Sequence, residues 1–202
     1  GYDYLPAQIR YIRTLGKPYY TMTGRFQRSW GDIGGMRPEA ALFYDCINSV
    51  ANAGGCCIGD HLHPRASLQA PVYEMITRVY DRIAALDEWT DKAKPVSEIA
   101  ILAPWLREDC NTYGNRTDIL AGASRMLLEL KLQYDVIDDQ RDFSLYRVLF
   151  LPDEVRLDAT LAEKPERYLK QGGKIISSGW SLLNPDNSGF AVKEAEHSMN
   201  YL

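Results

Sequence analysis

The stretch Asp60-His61-Leu62-His63 holds the densest chemistry in this sequence. It follows the short apolar run Cys56-Cys57-Ile58, is closed by Pro64, and sets two of the chain's three histidines beside a carboxylate. In α/β proteins, groups just past the carboxyl end of a buried strand are where ligands bind. A neutral imidazole both donates and accepts hydrogen bonds and a carboxylate accepts them, which suits a polar ligand and proton transfer. On an extended chain His61 and His63, two residues apart, face the same way. With Asp60 they could also ligate a metal. A third strong ligand does not accompany them, His197 being remote in sequence, so no metal and no cofactor is expected. The plainer alternatives are a loop-bracing aspartate and two structural histidines.

The second candidate set lies in the polar loop Gly24 to Gly35, GRFQRSWGDIGG. Trp30 and Phe26 offer aromatic faces on which a ligand ring can stack, and an indole N–H adds a donor. Arg25 stands nearer the preceding strand than Arg28 and is the better placed for a substrate contact. Asp32 is the loop's one carboxylate. For Trp30, anchoring its own loop is the rival role.

These loops need elements to position them. Leu5, Ile9, Ile12 and Leu15 recur on one helical face over residues 5 to 15, and Gly16 ends that helix. Pro18 to Thr23, rich in β-branched and aromatic residues, reads as a strand. Pro38 opens a helix that runs to about Ala53, where Gly54-Gly55 breaks it ahead of the strand Cys56 to Ile58. A long helix is expected from Gln69 to Trp89, with Val72, Met75, Val79 and Ile83 in its core stripe. Alternation of this kind means parallel strands joined by crossover helices.

The polar segment Thr90 to Pro95 marks a domain boundary, giving residues 1–95 and 96–202. Beyond it the alternation restarts: strands at 99–102, 134–137, 148–151 and 174–177, helices at 116–131 and 157–169, and a loop with Trp105, Cys110 and Tyr113. Pro165 falls inside the last helix, and a kink or early restart is expected there. The pattern is a flavodoxin-like three-layer α/β arrangement.

Composition excludes several classes of function. The 202 residues are 46% hydrophobic and 25% charged, with a net charge of -4 and no basic run, which argues against a nucleic-acid partner. No apolar stretch is long enough for a membrane helix. The cysteines, Cys46, Cys56, Cys57 and Cys110, form no C-x-x-C pair, so free, mostly buried thiols are expected. Residues 103–107 lack a glycine-rich phosphate loop, and Pro152-Asp153-Glu154-Val155 lacks the cysteine that an amidotransferase carries on its strand-to-helix turn. Gly1 to Tyr4 and His197 to Leu202 start and stop without a finished element, so a fragment, truncated in its second domain, is expected.

The run WGDIGGMRPEAALFYDCINSVANAGGCCIGDHLHP, followed by LQAPVYEMITRVYDRIAALDEW, resembles the closing strands of a glycoside hydrolase (β/α)8 barrel, with α-L-fucosidase and β-galactosidase-like enzymes the nearest in kind. The part from SEIAILAP to YLKQGGKIISSG is similar to the β-galactosidase trimerisation domain, which has a class I glutamine-amidotransferase-like fold and follows the barrel. The resemblance implies that 1–95 is the C-terminal portion of the barrel and 96–202 a non-catalytic oligomerisation domain, with a trimer as the assembly. It implies a carbohydrate substrate, met by Asp60, His61, His63, Trp30, Arg25 and Asp32, with the principal catalytic carboxylates upstream of Gly1. β-Galactosidases of this type carry the nucleophile as a glutamate on the penultimate strand. Here that strand and its loop hold only Asp32, which places a fucosidase-like enzyme ahead. The alternative is a non-enzymatic assembly or ligand-binding module with a Rossmann-like half.

Overall fold

A computed structural model describes residues 4–91, 93–107 and 115–193. Cys110, Tyr113 and His197, all named above, lie outside the described residues. The chain divides into two compact units, Gly1–Pro95 and Val96–Leu202.

In the first unit α1 spans Tyr4–Ile12 and continues as a 3-10 turn, Arg13–Leu15, which Gly16 ends at φ +68°. β1 (Tyr20–Gly24), α2 (Glu39–Val50), β2 (Gly55–Gly59), α3 (Ala70–Ala84) and α4 (Asp87–Thr90) follow. The helix expected over 69–89 is therefore two. Asp87 and Glu88 open the second piece, where carboxylates favour a helix N-terminus.

β1 and β2 pair in parallel, from Tyr20 opposite Gly55 to Gly24 opposite Gly59. Side chains alternate across a strand. Cys56 and Ile58 pack onto a core of Leu42, Cys46, Met75, Val79 and Ile83 from α2 and α3. The other face turns the opposite way: Tyr20 is 79% exposed, Met22 67%, and Cys57 is exposed too. This sheet is thus covered on one side only.

The second unit carries β3 (Ile99–Leu102), α5 (Asn115–Glu129), β4 (Tyr134–Ile137), β5 (Val148–Leu151), α6 (Ala159–Lys170) and β6 (Lys174–Ser177). All four strands are parallel, in the order β4-β3-β5-β6. Ala100, Ile101, Leu102, Val136, Ile137, Leu149 and Leu151 are fully buried, as expected of parallel strands covered on both faces. Asp135 is accommodated in β4 because Tyr146 and Ser97 donate their hydroxyls to its carboxylate, at 2.8 and 3.3 Å. Of the two outcomes expected at Pro165, a restart does not occur: α6 runs through it as one helix. Proline removes one hydrogen bond, to the Leu161 carbonyl, but its fixed φ is helical. Ala162, Pro165 and Tyr168 form the buried stripe of α6, so packing offsets the loss.

Candidate functional site

The candidate residues meet at the carboxyl ends of β1 and β2. The Arg25 N–H donates to the Gly59 carbonyl at 3.1 Å, carrying the strand pairing one step beyond Gly24 and Gly59. That step turns the Arg25 side chain inward, where it is 2% exposed. Its Nε donates to Asp60 Oδ1 at 2.7 Å, and its Nη1 donates to the carbonyls of Ile33 and Gly35, each at 3.0 Å. The guanidinium also lies 4.5 Å from the centre of the Phe26 ring. One side chain therefore ties the β1 loop, its far end and the β2 loop together.

Asp60 is held ionised. Burial by itself pushes its carboxyl up, but the Arg25 guanidinium, the His61 N–H and the Tyr73 hydroxyl together hold it below its ordinary value. The His61 N–H lies 2.7 Å from the same Oδ1 that Arg25 holds. A general acid for glycoside cleavage must stay protonated at working pH. Asp60 is built as an acceptor instead.

Trp30 lies across the strand-end glycines. A methyl group on Gly59 would come within 2.5 Å of the indole, whereas one on Gly24 would sit at an ordinary contact of 3.6 Å, so the bare backbone of Gly59 is what lets the ring lie there. Buried Phe26 meets the indole edge-on, with centroids 5.2 Å apart and planes at 69°. Trp30 nevertheless remains 58% exposed. It is an aromatic surface fixed from below and open above.

The other candidates differ in what they touch. The His61 side chain is exposed, with no hydrogen-bond partner among the described residues. The chain does not stay extended as far as His63, whose carbonyl accepts from Ala66 N–H at 2.7 Å and whose Nδ1 accepts from Arg65 N–H at 3.1 Å. His63 thus closes its own turn, and the two imidazoles are not equivalent. The Asp32 carboxylate folds over Gly35, where an added methyl would meet its Oδ2 at 2.3 Å. No cluster of three or more metal-ligating side chains occurs among the described residues.

Sequence reasoning missed the brace under the loop. Arg37 Nη2 donates to Asp45 Oδ2 at 2.9 Å, and the Thr23 hydroxyl donates to the same oxygen at 2.7 Å. The Arg37 N–H also donates to the Arg25 carbonyl, at 2.9 Å. Asp45, buried on α2 among apolar positions, was the signal, since a buried carboxylate needs a cationic partner.

Residues 124–188 match the family described as the β-galactosidase trimerisation domain. The chain is also similar to the solved α-L-fucosidase isoenzyme 2 from Paenibacillus thiaminolyticus, at 34% identity and a TM-score of 0.86, over 96% of this chain and 30% of that one. This chain is related to the glycoside hydrolases. Solved β-galactosidases from Rahnella sp. R3 (15% identity, TM-score 0.69, 94% of this chain and 32% of that one) and Bacillus circulans sp. alkalophilus (16%, 0.67, 94% and 32%) share its fold. No curated protein sequence matches it. The glycosidase-related chain spans about a third of the length of these structures. Its trimerisation-domain match supports homo-oligomerisation, and among the described residues no helix is long and apolar enough to cross a membrane.

Proposed function

We propose that these residues belong to a glycosidase whose sugar pocket has the β1 and β2 ends as one wall. The observation that carries this reading is Trp30, fixed over the Gly24–Gly59 pair and open to solvent. A sugar ring stacks on the exposed indole, Asp60 accepts from its hydroxyls, and His61 supplies a group that both donates and accepts. Arg25 is a positioning residue that acts through Asp60, while His63 and Asp32 shape the two loops. The uncovered face with Tyr20, Met22 and Cys57 is barrel lumen: β1 and β2 are the last two strands of a (β/α)8 barrel, and the earlier strands supply the catalytic carboxylates.

The bond cleaved is an α-L-fucoside. The 34% identity to a fucosidase and the lack of a glutamate in β1 and its loop both support this over a galactoside. Residues 96–202 hold the protein as a homotrimer, a reading supported by the family match over 124–188.

The test is hydrolysis of 4-nitrophenyl α-L-fucoside and β-D-galactoside by the protein that contains this chain together with its upstream strands. Trp30→Ala should raise KM by about tenfold or more, the loss of one stacking contact, with a smaller change in kcat. Unchanged kinetics in that variant would remove Trp30 from the pocket. Robust turnover by residues 1–202 alone would sink the reading. Sedimentation of the same protein decides between trimer and monomer.

A further inference from the structure

The second unit has a cavity of about 950 Å³ at the carboxyl ends of β3, β4 and β5, bordered by the first turn of α6. In the order β4-β3-β5-β6 the chain leaves β3 first toward β4 on one side and then returns to β5 on the other. Open α/β sheets bind ligands in the crevice at such a reversal.

The cavity lining carries four cations, Arg107, Arg116, Arg156 and Lys164, against three carboxylates. Its three carboxylates are already engaged. Asp139 pairs with Arg107 at 3.6 Å, Glu154 accepts from the Asn115 amide at 2.6 Å, and Asp158 caps α6 by accepting from the Leu161 N–H at 2.8 Å. The remaining cations, Arg116, Arg156 and Lys164, have no carboxylate partner among the described residues. Arg116 lies 5.6 Å from the centre of the Trp105 ring, Arg156 reaches only the Pro185 carbonyl at 3.4 Å, and Lys164 donates to the Asp139 carbonyl. Trp105 also lines the cavity; it is 7% exposed, and its Nε1–H is buried with no acceptor.

We propose that this cavity binds a small polyanion, a molecule with two or more carboxylate or phosphate groups, held by Arg116, Arg156 and Lys164 with the Trp105 ring in its wall. The site is separate from the sugar pocket and does not rest on the glycosidase reading. It also needs no cysteine at the β5 turn, where Asp153 stands at φ +45°, its N–H and carboxylate both engaged by Ser178.

Citrate and pyrophosphate, titrated separately into the intact protein, distinguish the carboxylate from the phosphate source. Calorimetry should show saturable binding of at least one. The indole N–H resonance that Trp105→Phe removes should shift on saturation. Arg156→Gln and Lys164→Met should each weaken binding by about tenfold, the loss of one charge-assisted contact. Arg125→Ala, on α5 beside Glu129 and outside the cavity, should leave it unchanged. If Arg116→Ala fails to fold through its contact with Trp105, the other two variants still decide. The proposal is overturned if neither anion saturates below about 10 mM, if the Trp105 resonance does not move, or if the charge variants bind as the parent does.

Discussion

The two units bury their parallel sheets to different extents. β3, β4 and β5 are covered on both faces, with Ile101, Val136 and Leu149 fully buried. β1 and β2 are covered on one face, and Tyr20 and Met22 on the other stand open. Parallel strands are stable when both faces are covered, because each carries apolar side chains alternately up and down. The first unit therefore keeps polar and aromatic groups at its strand ends with one face of its sheet open, whereas in the second only the edge strand β6, with Ile176 59% exposed, stays open.

The sharpest way to break this comparison is to shorten one side chain in each sheet. Leu149→Ala should destabilise the second unit by about 3 kcal/mol, through lost transfer energy and a residual cavity. Met22→Ala in the same 202-residue chain should change stability by less than about 0.5 kcal/mol, as at an open surface. Urea unfolding followed separately in each unit measures both. In a protein that also contains the earlier barrel strands, the Met22 effect should rise toward that of Leu149, and a value that stays near zero would mean the face is not lumen.

The loop pair comes next in size. Arg25→Met should cost about 3 kcal/mol in the first unit, since it takes its guanidinium partner from Asp60 and leaves the Ile33 and Gly35 carbonyls without that donor. Adding Asp60→Asn should recover part of that loss, and a double-mutant cycle that comes out additive would show the pair to be uncoupled.

Dependence on pH tests one particular contact in each unit. The Asp60 carboxyl lies below its ordinary value of 3.8, so its contribution is fully present above that value and is lost as pH falls through the lower folded value. In the second unit burial, followed by the neighbouring Asp135, pushes the Tyr146 hydroxyl up to about 12. Its contribution is fully present below the ordinary value of 10.0 and is lost as pH rises through about 12. Acid should therefore release the Arg25–Asp60 contact between the β1 and β2 loops, and alkali the Tyr146–Asp135 contact beside β4. Asp60→Asn and Tyr146→Phe should each flatten one limb of the profile, and loss of both limbs in a single variant would contradict the assignment.

The smallest expected effect is at Gly59. Gly59→Ala would push against Trp30, which is on a loop and can swing outward, so stability should fall by about 1 kcal/mol or less. The readout is Trp30 itself: its fluorescence should shift toward that of a fully hydrated indole, and the sugar affinity of the active protein should drop with it.

Much of the architecture was legible from periodicity. Strands such as Ile99–Leu102 and Val148–Leu151 fall where the short apolar runs lie, because a strand buried on both faces leaves no polar position to blur its ends. Helix ends were less clear. Nothing in the apolar stripe of α3 marks its stop after Ala84, and Pro165 reads as a break only until the packing around it is known. The site was legible as a location. Its division of labour was not: the sequence presents Arg25 and His63 as candidate contacts alongside Trp30 and His61, and only the fold turns the first two onto their own loops.

By itself, then, the sequence determined the alternation of strands and helices, the polar clusters at the ends of two strands, and the likeness to glycosidases. Those properties are local, written in spacing and residue type. The tertiary structure decided which side chains are committed inward and which stay free. Arg25 is buried by a strand step, Trp30 lies over a glycine where any side chain would collide, and among the described residues Trp105 lacks an acceptor and the cations beside it lack a carboxylate partner. Each of those outcomes depends on residues distant in sequence coming within contact distance, which no local pattern encodes.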